Sequence, residues 1–416
     1  MHFYIDPGTG SMLFTILIGV IGAVFYSLRN VLIKLRFVMS GGKKGEVSDD
    51  RMPLVIFTDS KRYWNVFEPI CDELERRGVE AQYLTMSPDD PALSKDYEHI
   101  TCRFIGEGNG AFAKMNLLNA GIVLSSTPGL DVYQWKRSKN VQWYVHIPHM
   151  CTDVTIYRMF GLDYYDAVLL SGQYQIDQTR QLETLRSLPG KDLRLVGVTY
   201  MDELKRRLEQ APPLPEHQRT VLLAPSWGPS AVFSRYGGRI IDALLDTGYH
   251  IVIRPHPQSF TSEKELLDEL MAAYPDSDRL EWNRDNDNFD VLRRSDVMIS
   301  DFSGVIFDFA LIYDKPVIYA DVSFDGAPYD CCWLEEEPWT FRVLPKIGVP
   351  LAEGSLPQLK QIIDSAIDEE RFADAREQAR KDAWVCIGQA AGNVADYLIE
   401  KQRELGSAPE ADASEG

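Results

Sequence analysis

The chain has 416 residues, more than a single hydrophobic core usually serves, so two domains are the default expectation. Its hydrophobic and charged fractions, 45% and 25%, are ordinary for a globular protein. The net charge of −19 argues against nucleic acid as a partner, and it implies that local donors must hold any anionic ligand.

An apolar segment near the amino terminus predicts a membrane helix. No charged side chain occurs from residue 7 to residue 28, a length close to the ~20 residues that cross a bilayer. Several lysines and arginines follow before residue 45, which predicts that the carboxyl side lies in the cytoplasm. We expect residues 9–38 to form one anchor, within an anchor-and-hinge region of residues 1–45, that holds the remaining chain on the cytoplasmic side of the membrane. A helix that lies in the membrane plane is the alternative.

Strand-like and helix-like segments alternate through the rest of the chain. A proline-rich break at residues 209–216 divides this pattern and predicts a linker. Alternating strands and helices predict a parallel sheet that is covered on both faces. We therefore predict an α/β protein with two Rossmann-like domains, residues 50–211 and 217–404, that face each other across a cleft. The terminal helices are grouped with the second domain, and residues 405–416 are predicted to be a disordered tail.

One strand end in the second half carries a cation and a histidine. The apolar run 251–253 stops at Arg254, and Pro255 and Pro257 restrict the chain on either side of His256. In an open α/β sheet such residues lie at the carboxyl end of the strand, where ligands bind. We predict that Arg254 pairs with a phosphate and that His256 hydrogen-bonds a diphosphate. A surface turn is the alternative.

A second strand end opens a helix with small polar residues. The apolar run 297–299 is followed by Ser300, Asp301, Ser303 and Gly304. We predict that Ser303 caps the helix and that the first-turn amides bind an anion. Because a carboxylate near an anion is repulsive, Asp301 is expected to orient a loop or a sugar hydroxyl. The alternative is that the hydroxyls only cap the helix.

The first strand of the second half ends at another small-residue loop, residues 224–228. It faces the predicted cleft, so Ser226 is predicted to touch phosphate or acceptor. Trp227 suits binding and packing equally. The sequence contains no Walker-type loop, no GxGxxG fingerprint after the first strand and no GxSxG elbow.

Two histidines follow the apolar run 141–145 of the first half. His146 ends the run, and His149 comes next, together with Cys151 and Asp153. Their spacing fits no zinc pattern, so we predict no metal here. An imidazole titrates near neutral pH and suits a general base that deprotonates a hydroxyl. We predict His146 as the base and His149 as the second choice, and a structural histidine is the alternative for either.

Together these motifs resemble the CDP-glycerol glycerophosphotransferases, the polymerases and primases of teichoic-acid synthesis. The matching segments are residues 224–227 (APSW), 254–257 (RPHP), 295–309 (SDVMISDFSGVIFDF) and 315–319 (KPVIY). The resemblance covers roughly residues 140–400. It implies a GT-B-like pair of Rossmann-type domains with CDP-glycerol in the cleft.

The resemblance also implies roles for single residues. His146 looks similar to the histidine that serves as the base, and His256 to the histidine that contacts the diphosphate. Ser303 matches the first of two serines that hold phosphate. The chain departs from the pattern where Gly304 replaces the second serine and where Ile147 stands in place of a glycine.

The function predicted from these features is a membrane-associated transferase. It would move glycerol phosphate from CDP-glycerol to a hydroxyl of a lipid-linked or polymer acceptor and release CMP, without a cofactor. One alternative is a GT-B glycosyltransferase or a transferase of another CDP-polyol, because the architecture does not distinguish these. The other is a membrane-tethered protein that binds a nucleotide without turnover.

Overall fold

The computed structural model describes residues 51–407 apart from residues 286, 322–323 and 369–371. The predicted membrane anchor at residues 9–38 lies outside the described residues, as does most of the predicted tail. Among the helices that are described, none is long and apolar enough to cross a membrane. The described chain from Met52 onward belongs to one compact unit.

The first half folds into a parallel sheet of seven strands. These strands are Met52–Thr58 (β1), Ala81–Thr85 (β2), Ile100–Phe104 (β3), Ala120–Ser125 (β4), Val141–His146 (β5), Ala167–Leu170 (β6) and Asp192–Leu195 (β7). Their order in the sheet is β3-β2-β1-β4-β5-β6-β7. The accompanying helices are Trp64–Arg76 (α1), Gly108–Met115 (α2), Gln173–Leu185 (α3) and Thr199–Gln210 (α4). Strand residues such as Leu54 and Val55 are buried on opposite faces, as expected for a sheet with helices on both sides.

The second half follows the proline-rich break and forms a parallel sheet of six strands. These strands are Thr220–Leu223 (β8), His250–Ile253 (β9), Leu280–Trp282 (β10), Val297–Ser300 (β11), Val317–Ala320 (β12) and Gly348–Leu351 (β13). Their order is β10-β9-β8-β11-β12-β13. The helices up to β13 are Val232–Tyr236 (α5), Arg239–Asp246 (α6), Ser259–Ser262 (α7), Lys264–Ala273 (α8), Phe289–Arg294 (α9), Val305–Ile312 (α10) and Trp339–Ile347 (α11). The prediction of two parallel-sheet α/β halves is therefore confirmed.

Three helices end the described chain: Leu359–Asp368 (α12), Ala373–Ala383 (α13) and Ala390–Ser407 (α14). Our grouping of all the terminal helices with the second half needs a correction. Helix α14 packs on α1 and β4 of the first sheet. The indole nitrogen of Trp143 donates to Tyr397 Oη at 3.1 Å, and the buried Leu398 faces the same side. The first sheet thus buries an apolar helix face that comes from the far end of the chain.

Buried polar contacts join the two halves. Arg186, the C-cap residue of α3, pairs with Asp163 at 2.7 Å and also with Asp330 of the second half, and all three side chains are at most 10% exposed. Asp153 accepts hydrogen bonds from the backbone nitrogen and the hydroxyl of Thr340 at 2.8 and 2.6 Å. One apolar cluster also contains buried residues from both sheets. The two halves therefore share a core as well as facing each other.

Candidate active site

A cavity of about 330 Å³ lies where loops from the carboxyl ends of both sheets meet. The first half contributes Arg62, Tyr63, Tyr133, His149, Met150, Tyr157 and Arg158 among its lining residues. The second half contributes Ser226, Trp227, His256, Ser303, Gly304, Phe324 and Tyr329. Parallel α/β sheets bind ligands at this edge, so the cavity is the candidate active site.

His256 enters the cavity from the loop that follows β9. Its Nδ1 accepts a hydrogen bond from the backbone nitrogen of Gln258 at 3.0 Å, so the neutral ring carries its proton on Nε2. Burial, assisted by the positive charge of Arg62, lowers the pKa of His256 to about 4. The ring is therefore uncharged at neutral pH and can donate from Nε2 to a phosphate oxygen.

His146, the predicted base, does not line the cavity. It is the last residue of β5 and is fully buried, with its ring edge-on to the rings of Tyr157 and Tyr165. Its Nε2 lies 3.3 Å from Tyr157 Oη. Burial lowers the pKa of His146 to about 3. The side chain of this strand residue points into the interior, behind the surface that a ligand would touch.

His149, the second choice, does line the cavity. Its ring lies 4.9 Å from the ring of Tyr63 and stacks on that of Tyr157 at 6.2 Å, between ring centroids. Burial lowers the pKa of His149 to about 4, and the charge of Arg62 adds to the effect. Among the residues described, its Nδ1 has no hydrogen-bond partner. The loop after β5 thus brings His149, three residues after His146, to the cavity where we predicted His146.

The start of helix α10 borders the same cavity. Gly304 is the N-cap residue and no side chain caps the helix, so Ser303 does not have the capping role that we predicted. The Ser303 backbone nitrogen donates to Asp301 Oδ1 at 3.1 Å. A Cβ atom at Gly304 would lie 3.3 Å from Met150 Sδ of the first half, so the glycine permits a close approach of the two halves. The backbone nitrogens of Ile306 and Phe307 already donate to the carbonyl oxygens of Ser303 and Gly304 at 3.1 and 3.0 Å. Among the described groups at this helix start, the backbone nitrogens of Gly304 and Val305 and the Ser303 hydroxyl are left for a ligand.

Ser300 and Asp301 hold the loops around the cavity through hydrogen bonds to the backbone. The Asp301 carboxylate is buried and accepts hydrogen bonds from the backbone nitrogens of Ser226, Val232 and Ser303 at 2.9 to 3.1 Å. The Ser300 hydroxyl donates to the carbonyl oxygen of Ala224 at 2.6 Å. Asp301 therefore orients backbone, as its charge suggested, and both residues place Ser226 at the cavity.

The cations at the cavity differ from the one predicted. Arg254 lies outside the lining and its Nη1 donates to Asn283 Oδ1. Burial lowers the pKa of the Arg254 guanidinium. Arg62 and Arg158 line the cavity instead, and the Nε of Arg62 donates to Ser60 Oγ at 3.0 Å. Sequence reasoning missed both arginines because neither belongs to a motif.

The balance of charge in the cavity favours an anion although the whole chain is acidic. Asp153 is the carboxylate among the described lining residues, and its oxygens already accept hydrogen bonds from Trp339, Thr340 and Gln178. Two arginines and two neutral histidines remain to face a ligand. Within the described ranges, no group of three or more His, Cys, Asp or Glu side chains is placed to hold a metal ion.

The sequence and the fold both match known proteins. Residues 166–330 match the family described as CDP-Glycerol:Poly(glycerophosphate) glycerophosphotransferase. No curated protein matches the sequence. Among solved structures, the wall teichoic acid polymerase TagF, a histidine-to-asparagine variant with CDPG, has a TM-score of 0.58 at 14% identity, covering 92% of this chain and 99% of that one.

Two epimerase structures are similar as well. A putative UDP-N-acetylglucosamine 2-epimerase from Listeria monocytogenes has a TM-score of 0.54 at 14% identity, covering 85% of this chain and 98% of that one. The UDP-GlcNAc 2-epimerase of Methanocaldococcus jannaschii, in complex with UDP-GlcNAc and UDP, has a TM-score of 0.55 at 11% identity, covering 84% and 100%. At these identities the structures show the fold alone, which is GT-B-like in its two α/β halves.

Proposed function

We propose that the chain is a transferase of the CDP-glycerol glycerophosphotransferase family, whose model its residues 166–330 match, and that it transfers glycerol phosphate from CDP-glycerol to an acceptor hydroxyl and releases CMP. One observation carries this proposal. The cavity between the sheets combines two neutral histidines, two arginines and a helix start. These are the groups that a diphosphate and an attacking hydroxyl require.

The proposed reaction begins at His149. As a neutral imidazole it accepts the proton of the acceptor hydroxyl, whose oxygen then attacks the phosphorus that bears glycerol. A new phosphorus–oxygen bond forms, and the bond from that phosphorus to the oxygen of CMP breaks. His146 has no part in the proton transfer because it lies behind Tyr157.

The same cavity supplies groups that stabilise the diphosphate. The His256 Nε2–H, the Arg62 guanidinium and the free backbone amides at the start of α10 would donate to its oxygens as negative charge moves onto CMP. Each of these donors is fixed by the fold before the substrate arrives, so little reorganisation is needed during the reaction. Ser303 and Ser226 would add hydroxyl contacts at the edge of the diphosphate.

The location and the acceptor belong to the same proposal. The uncharged run of residues 7–28 supports attachment to the cytoplasmic membrane, with the transferase on its cytoplasmic side. Such attachment suits a lipid-linked acceptor or a polymer that grows on one. No cofactor is required in this scheme, because positioning and charge stabilisation account for each step.

The proposal is tested by CMP release from CDP-glycerol, with a membrane extract as the source of acceptors. We expect His149→Ala and His256→Ala to lower kcat/KM at least about a hundredfold, the usual contribution of a general base or a charge-stabilising donor. His217→Ala is the matched control, because that histidine is exposed and pairs only with Asp296 among the described side chains.

Three outcomes would contradict the proposal. A loss with His146→Ala but not with His149→Ala would restore the base that the sequence predicted. Unchanged CMP release in both His149→Ala and His256→Ala would show that neither histidine takes part in the reaction. Turnover of a UDP-sugar in place of CDP-glycerol would make the enzyme a glycosyltransferase on the same fold.

A further inference from the structure

A second cavity of about 600 Å³ adjoins the first. It lies between the end of β12, helix α11 and the segment at residues 324–338. Phe302 and Phe324 line both cavities, so the two spaces meet at these rings. We propose that this second cavity binds the acceptor as an uncharged, hydroxyl-rich group such as a sugar or polyol. The inference rests on the proposed transfer reaction and adds the chemical class of its acceptor.

Three aromatic rings form one wall of the second cavity. The ring centroids of Phe302 and Phe324 are 5.1 Å apart, and those of Phe324 and Phe341 are 4.9 Å apart. Phe302 and Phe341 complete the set at 6.4 Å. Rings at these distances support one another and present their faces and edges to a ligand. Such a wall suits the C–H faces of a sugar ring or the carbon chain of a polyol.

Besides the aromatic wall, the second cavity is lined by carboxylates. Asp321, Glu335, Glu336 and Glu337 line the cavity and are exposed. Of the cations that the structure describes, only Arg342 comes within ion-pair distance of one of these carboxylates, at 3.6 Å from Glu336. No lysine or arginine occurs among the described lining residues. Carboxylates accept hydrogen bonds from hydroxyls and repel phosphates, so the cavity selects for a ligand without negative charge.

The two cavities therefore divide the substrates by charge. Arg62 and Arg158 attract the diphosphate of the donor on one side of Phe302, and the carboxylates attract hydroxyls on the other. An acceptor held on the aromatic wall could extend one hydroxyl past Phe302 and Phe324 toward His149. Once that hydroxyl carries glycerol phosphate, the product brings a negative charge to the acidic cavity. The repulsion favours departure after one transfer rather than repeated extension.

The first test compares two soluble acceptor probes with labelled CDP-glycerol as donor. Dodecyl β-maltoside, below its micelle concentration, is an uncharged disaccharide, and lysophosphatidylglycerol presents its hydroxyls beside a phosphate. We expect kcat/KM to be at least about tenfold higher for the maltoside, the factor that a charged hydrogen-bond partner typically contributes. Equal or better use of the phospholipid would overturn the inference.

Charge reversal gives the second test. Glu337→Lys should raise KM for the maltoside and lower it for the phospholipid, each by about tenfold, without changing the dissociation constant of CDP-glycerol. Glu80→Lys makes the same change of charge at an exposed position, 73% accessible, on the first sheet and should leave both values unchanged. Phe341→Ala should raise KM for the maltoside alone. Unchanged acceptor KM values in Glu337→Lys would contradict the proposed site.

A binding measurement separates this inference from the proposed function. Saturation-transfer NMR reports maltoside contact with the protein without any turnover. Maltoside binding that Phe341→Ala abolishes, with no transfer from CDP-glycerol, would retain the site and reject the reaction. Transfer to phospholipid with no maltoside contact would retain the reaction and reject the site.

Discussion

At the scale of single residues, the charge of Arg62 reaches both histidines of the active site. It lies at the carboxyl end of β1 and lowers the pKa of His149 and of His256, as the second cause after burial. A cation at this position has two effects in the proposed mechanism. It attracts the diphosphate, and it adds to the effect of burial that keeps both imidazoles neutral, so that one of them can accept a proton.

The variant Arg62→Gln tests both effects. We expect the dissociation constant for CDP-glycerol to rise about tenfold or more because a charged partner of the phosphate is lost. The pKa values of His149 and His256 should rise from about 4 but stay below 6.5, since burial remains the larger cause. The acid limb of the kcat profile, where the base becomes protonated, should move to higher pH by the same amount. Isothermal calorimetry and the pH dependence of kcat measure the two effects separately, and Arg51→Gln is the control.

The buried histidines also affect stability in a pH-dependent way. His146, His149 and His256 all have pKa values below the usual 6.5, so the unfolded chain binds more protons than the folded one between about pH 6.5 and pH 4. We expect the free energy of unfolding to fall as the pH is lowered through this range. His146→Phe, which cannot be protonated, should make that dependence weaker, as measured by urea unfolding at several pH values. The same slope in the variant and the parent protein would contradict the depressed pKa of His146.

At the scale of elements, the Asp301 carboxylate connects the loop after β8 to the start of helix α10. Asp301 accepts from the loop after β8 through Ser226, from the start of α5 through Val232 and from the residue before the N-cap of α10 through Ser303. These segments carry the residues that we assign to the diphosphate. A change at Asp301 should therefore reach the cavity without contact with the ligand.

Replacing Asp301 with asparagine should lower the free energy of unfolding by about 2 kcal/mol, because an amide offers fewer acceptors to three backbone donors in a buried place. Affinity for CDP-glycerol should fall with it. Chemical denaturation and calorimetry give the two values, and Asp290→Asn, an exposed change on α9, is the control. A variant as stable as the parent protein would show that these hydrogen bonds do not hold the loops.

The strands and helices also show which parts of the fold can be predicted from the sequence alone. Apolar runs bounded by polar residues correctly predict the central strands, because these strands are buried on both faces. Strand β13 is not evident from the sequence, because Gly348 and Pro350 occur in its short run. A strand at the edge of a sheet tolerates both residues. The sequence pattern over residues 234–246 would suit a single helix, but the structure divides it at Gly237, whose φ of +57° ends α5.

The site was predicted in part. The motifs correctly indicate the edge at which His256, Ser226 and Ser303 come together, since strand ends are visible in the sequence. The choice between His146 and His149 depends on the path of a loop, which no periodicity reveals. The role of Arg62 depends on how the two halves pack, and that information is spread over the whole chain.

At the scale of the whole molecule, the two halves should unfold as one. Their shared apolar cluster and the buried pairing of Arg186 with Asp330 connect them beyond the linker. Asp330 also accepts from the backbone nitrogens of Phe160 and Gly161 at 2.8 and 3.2 Å. Removing its charge leaves Arg186 buried with one partner fewer.

We expect a single transition in calorimetric unfolding of the parent protein. Asp330→Ala should lower the free energy of unfolding by about 3 to 5 kcal/mol, the range for breaking a buried ion pair from one side. It should also separate the transition into two, one for each half. Asp325→Ala, an exposed change in the same segment, is the control. Two transitions in the parent protein would show that the halves are independent.

The ties between the halves have a consequence for how ligands are exchanged. Opening the cleft by rotation would expose part of the apolar cluster that the halves share. Exposure of only about 160 Å² of apolar surface costs about 4 kcal/mol, which corresponds to roughly a thousandfold smaller population. An open form would then be too rare to serve as the entrance in every catalytic cycle. Donor and product should pass instead through a mouth of nearly constant width, and turnover should depend little on solvent viscosity. Substrates would then be selected by size at this mouth, before any of their chemical groups is recognised.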